Sequence, residues 1–138
     1  MTVEKSPLFT LVQNMHEINI GKLYFFDTFV IAEFNEGENI GFDNFYEAHK
    51  LIKQYFDDRP FGFIANRINS YSIILPDAEQ FNKAYPNLKA YAIVTERTIT
   101  KKIFEIENHF FKFNRELFSN VDDAITWTEM QLKAEALL

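Results

Sequence analysis

The chain has 138 residues, no cysteine, and 14 Lys and Arg against 20 Asp and Glu, for a net charge of −6. That balance excludes disulfides and thiolate metal sites, and it argues against nucleic acid and anionic membrane surfaces, which both select clustered positive charge. Hydrophobic residues at 47% and charged residues at 25% fit one soluble domain long enough to bury a core, to which 16 Phe bring large apolar rings.

Residues 1–17 show no clear period and are expected to form an N-terminal arm or a short extra strand. They lack an apolar stretch of signal-peptide length, and no window reaches the length of a membrane span, so the expectation is a cytoplasmic protein without membrane insertion. A single domain is expected over residues 18–138. Lys22 to Phe26 and Thr28 to Phe34 are rich in β-branched and aromatic residues around Asp27, which predicts a hairpin. Asn35 to Asp43, with two Gly, reads as a loop. Asp43 then caps a helix to about Phe56, whose Phe45, Ala48, Leu51, Ile52, Tyr55 and Phe56 share one face.

Pro60 ends that helix, and Phe61 to Ala65 begins the next strand. Pro76-Asp77 opens a short helix that Pro86 stops, and Leu88 to Val94 reads as a buried strand. After Thr98, the residues Ile99, Ile103, Ile106 and Phe110 recur at helical spacing. Phe111 to Phe118 alternates as a half-buried strand, with Phe111, Phe113, Arg115 and Leu117 on one side. Ser119, three residues before Asp122, starts a last helix carrying Ala124, Ile125, Thr128 and Leu132 on one stripe. A hairpin followed by strand–helix alternation implies an α/β fold: a mostly parallel sheet, an antiparallel N-terminal hairpin strand and packed helices.

At this point the chain resembles the STAS superfamily, in its SpoIIAA-like (STAS/SEC14-like) branch and the small proteins of that kind from Bacteroidetes. The resemblance covers about residues 18 to 135. It is carried by GKLYFFDTFVIAEFN, PFGFIANRINSYSI, LKAYAIVTE with TKKIFEIENHFF, and FKFNRELFSNVDDAITW. It implies a SpoIIAA-like fold and a non-enzymatic regulatory or scaffolding module that binds a protein partner or forms a homo-oligomer. Anti-sigma antagonists of this family carry a phosphorylated Ser or Thr after the third strand. Here no Asp precedes Ser70 or Ser72, and Ile73 to Leu75 separate them from the next helix, so the switch is not carried over.

The polar stretch Asn66, Arg67, Asn69, Ser70, Tyr71, Ser72 lies past the end of a central strand, the edge that ligands favour in parallel sheets. Arg67 is suited to grip a carboxylate or phosphate with its forked donors. The competing reading, and the preferred one, is that these side chains hold the loop's own backbone and that Arg67 pairs with a carboxylate. Lys101 and Lys102 fall in the first turn of a helix, where the dipole disfavours them; a bound anion at that N-terminus or the nearby Glu96 and Glu105 would offset this, and the two glutamates are the preferred reading. His16, His49 and His109 lack metal-ligand spacing. No glycine-rich phosphate loop, Ser/His/Asp set or paired-carboxylate motif occurs, so neither a cofactor nor catalysis is expected. An alternative role is a carrier or sensor of a small apolar or lipid-like ligand, with Phe45, Phe56, Phe104, Phe110 and Phe111 as candidate lining residues.

Overall fold

The computed structural model describes residues 1–137. A 3-10 turn at Pro7–Leu11 precedes strand β1 (Asn14–Ile18), so the N-terminal segment does contain an extra strand. The order continues β2 (Gly21–Phe25), β3 (Phe29–Phe34), β4 (Asn39–Ile40), α1 (Tyr46–Phe56) and β5 (Phe61–Asn66). After these come β6 (Ser72–Ile73), α2 (Ala78–Ala84), β7 (Leu88–Val94), α3 (Thr98–Glu107), β8 (Arg115–Phe118) and α4 (Val121–Ala136).

Six strands form one sheet in the order β1-β2-β3-β5-β7-β8. β1, β2 and β3 pair antiparallel, whereas β3, β5, β7 and β8 run parallel. Each parallel strand is laid down beyond the last, so right-handed crossovers place α1, α2 and α3 on the same face. There Phe45, Ala48, Ile52, Phe56, Phe81 and Phe104 pack with Leu23, Phe25, Phe63 and Tyr91 of the sheet. The opposite face is covered by α4 and the N-terminal segment, where Ala124 and Val3 meet Tyr24, Ile31, Ile64, Ala92 and Val94. α4 lies very close to the sheet at Gly62, where an added Cβ would stand 2.3 Å from Cγ2 of Thr128.

Several local expectations need correction. Asp43 does not cap α1; Phe45 holds the N-cap position without a side-chain cap. Neighbouring Asn44 is drawn back into the preceding loop instead, accepting from the Gly41 amide and donating to the Asn39 carbonyl. That loop is not wholly irregular, because β4 pairs in parallel with β6. The cap of α4 is Asn120 rather than Ser119: its Oδ1 accepts from the Asp123 amide at 2.8 Å and its Nδ2 reaches the Asp123 carboxylate. Of the stretch Phe111 to Phe118, only Arg115 to Phe118 pairs with β7. The Lys112 amide leaves the sheet to bond Oδ1 of Asn82.

Candidate functional site

The polar stretch after β5 is divided by strand alternation. Successive side chains point to opposite faces, so Asn66 and Arg67 enter two different buried clusters. Asn66 donates to the Glu33 carboxylate at 2.8 Å and to the Met1 carbonyl at 3.0 Å. The same Glu33 oxygen accepts from the Val3 amide at 2.8 Å, which fastens the N-terminal segment to the α4 face. Burial, reinforced by Glu33 and Glu4, pushes the Tyr24 hydroxyl far above its ordinary pKa.

Arg67 turns to the other face, beneath α3. Its Nη2 donates to both Glu107 oxygens, at 2.9 and 3.0 Å, and its Nε donates to the Tyr71 hydroxyl at 3.1 Å. Arg115 reaches the same carboxylate at 2.8 Å and also bonds Asn108. The three charged side chains are only 2–3% exposed. Two guanidinium groups thus share one carboxylate, and the surplus positive charge rests on aromatic faces. Arg115 lies over the rings of Tyr91, Phe104 and Phe111, and Arg67 lies over Tyr71. Burial raises the Tyr71 pKa to about 12 against the pull of the Arg67 charge.

The rest of the stretch is tied to the β3–α1 loop. Asn69 donates to the Phe34 carbonyl, the Ser70 amide to Glu36, and the Ser72 hydroxyl to Asn39. The structure therefore brings Arg67 and Tyr71 together, sends Asn66 to the other face, and leaves Ser70 and Ser72 exposed on the surface. A cleft of about 260 Å³ opens where β5 and β7 end, lined by residues that include Asn66, Thr95, Glu96, Arg97 and Ser119. The forks of Arg67 are engaged below it.

Comparison of the chain with protein-family models, curated proteins and solved structures finds no match.

Three partners in these clusters, Glu33, Glu107 and Arg115, were not singled out from the sequence. Arg115 carried a usable signal, since it occupies the inward side of an alternating strand between Phe113 and Leu117. A buried cation there demands a buried anion. Glu33 carried a similar one, as the sole charge in a strand whose six residues are all buried.

The histidines are parted. His16 meets the Tyr55 hydroxyl at 3.0 Å, His49 meets the Tyr85 hydroxyl, and His109 is exposed. Burial, assisted by the Lys53 charge, lowers the His49 pKa. Among the described residues no group of three or more His, Asp or Glu is placed to hold a metal, and no helix is long and apolar enough to cross a membrane. Lys101 and Lys102 form no ion pair with Glu96 or Glu105 among the described residues.

α3 itself is unusual. Its buried face carries Thr100, Phe104 and Glu107, while its apolar stripe faces outward. Ile99 is 62% exposed, Ile106 53% and Phe110 42%, with Ile103 half-buried between them. The helical spacing predicted the helix, but the side of the helix that enters the protein is set by the Glu107 ion cluster.

A separate apolar void of about 50 Å³ lies between the sheet and the helices, bordered by Phe34, Phe45, Phe63, Phe81, Tyr91 and Phe111 among others. Phe45 and Phe111 thus line a cavity. Phe56 and Phe104 are ordinary core, and Phe110 is on the surface.

Proposed function

We propose that this protein is a non-catalytic, STAS-like regulatory or scaffolding module of the cytoplasm that works by binding another protein or a second copy of itself. The observation that carries the reading is the outward apolar stripe of α3. Ile99, Ile103 and Ile106, at i, i+4 and i+7, share one face of α3, and Phe110 is exposed in the turn that follows the helix, a pattern of the kind by which helices recognise protein partners. Contiguous apolar surface of this kind marks interaction sites more often than isolated exposed residues do. The surrounding chemistry agrees: buried polar groups are bonded to one another, Arg67 and Arg115 to Glu107 and Asn66 to Glu33.

The test is light scattering after size exclusion, with wild-type protein and Ile106→Asp, together with capture of partners from native lysate. The expected result is an oligomer or a retained partner that the variant loses while its unfolding midpoint is unchanged. A monomer at all concentrations that retains nothing would reject the reading.

The apolar cavity favours a second reading, a sensor of a small apolar ligand. At about 50 Å³ it has roughly a third of the volume of an engineered ~150 Å³ cavity that accepts benzene. That size suits a molecule of a few heavy atoms and not a lipid chain. Xenon titration followed by NMR shifts at the cavity residues tests it; unchanged spectra would remove it.

A further inference from the structure

We propose that the α3 ridge is a seat for an acidic amphipathic helix of a partner protein. This rests on the reading of α3 as the binding face and names the chemistry of what binds there.

The argument is one of charge. Residues 97–112 hold Arg97, Lys101, Lys102 and Lys112 against Glu105 and Glu107, a net charge of +2, which leaves −8 on the rest of the chain. Glu107 is buried and engaged by two arginines, so it adds nothing to the outer surface. The first turn of α3 contains no acidic residue, and its N-cap has no side-chain bond. On a helix of 3.6 residues per turn, Lys102 borders the Ile99, Ile103 and Ile106 face on its solvent side. An acidic helix is therefore attracted to this region of a protein whose net charge is negative, which favours both its docking there and the rate at which it arrives. Its apolar residues, spaced three and four apart, would lie along Ile99, Ile103 and Ile106, with Phe110 of the following turn at one end.

The same charges disfavour a second copy as the occupant. A two-fold contact through α3 would set Lys102 and its basic neighbours of one copy against those of the other. Docking α3 on the acidic surface of another copy would be heterologous, and such contacts propagate unless the rotation closes.

The experiment titrates isotope-labelled full chain with two synthetic amphipathic peptides that share one leucine face. One has glutamates on its polar flanks and the other has lysines. The expected result is that the glutamate peptide shifts amides within residues 97–112 and binds at least about tenfold more tightly than the lysine peptide. The Lys101→Glu/Lys102→Glu variant should reverse that preference, and Ile106→Ser should weaken both peptides with no change in unfolding midpoint.

Equal binding of the two peptides at α3 would overturn the acidic partner and leave the binding face standing. No shift in α3 with either peptide, from a protein that also stays monomeric, would overturn both. A concentration-dependent mass that Ile106→Ser abolishes would assign the ridge to a second copy and reject the acidic helix.

Discussion

Glu107 decides the most at the scale of single residues. Among the described residues it is the only carboxylate bonded to Arg67 and to Arg115, and all three side chains are nearly inaccessible to water. Removing one member of a buried charge group leaves its partners uncompensated, which costs about 3 to 5 kcal/mol, well above the effect of an exposed pair. Glu107→Ala should therefore lower stability by that order in urea unfolding. Lys83→Ala, which breaks the exposed pair with Glu79, should cost under about 1 kcal/mol. Equal effects from the two variants would refute the view that this cluster anchors α3. The cluster also explains what happens to the polar stretch after β5. Arg67 does seek a carboxylate, as its chemistry suggested, but the carboxylate belongs to the protein.

Contacts between elements show where sequence patterns suffice and where they fail. The hairpin β2–β3, the strand β7 and the helix α1 follow from apolar runs, turn residues and periodicity, and each appears within a few residues of its expected place. The caps do not: the N-cap of α1 is Phe45, with no side-chain bond, and at α4 the neighbouring Ser119 and Asn120 are chemically near-equivalent, so residue type alone does not say which one bonds the first turn. The orientation of α3 was hidden because its apolar stripe predicted a helix, whereas Glu107 on its inward face is bonded by Arg115 and by Arg67, the latter 40 residues away in sequence. Gly62 is another long-range choice. An added Cβ there would collide with Thr128, a residue of α4 with no accessible surface. Gly62→Ala should destabilise by about 1 to 3 kcal/mol, as overpacking does. Thr128→Ala in the same molecule removes the colliding methyl and should recover much of that loss. Strictly additive effects in the double-mutant cycle would argue that α4 is not seated on Gly62.

Over the whole molecule, the aromatic core is closed at its margins by tyrosines whose hydroxyls are held away from water, and this makes the fold sensitive to alkali. The Tyr71 pKa stands at about 12, and those of Tyr24 and Tyr85 are raised further, chiefly by burial. In the unfolded chain each would ionise near its ordinary value of about 10. Above that pH the unfolded state binds fewer protons than the folded state, so stability falls as pH rises. Their contribution is fully present below about pH 10, and for Tyr71 it is lost between about 10 and 12. Each tyrosine contributes a slope of up to about 1.4 kcal/mol per pH unit in that window. His49 acts at the other end: its lowered pKa contributes stability above its ordinary value of about 6.5 that is lost as pH falls through the folded value. Urea midpoints across pH should thus form a plateau between these limits, steepest on the alkaline side. Tyr85→Phe keeps the ring but removes the titrating hydroxyl, so it should flatten the alkaline limb even if it lowers the plateau through loss of the His49 bond. An alkaline slope unchanged in Tyr85→Phe would show that this hydroxyl ionises in the folded protein as it does in the unfolded chain.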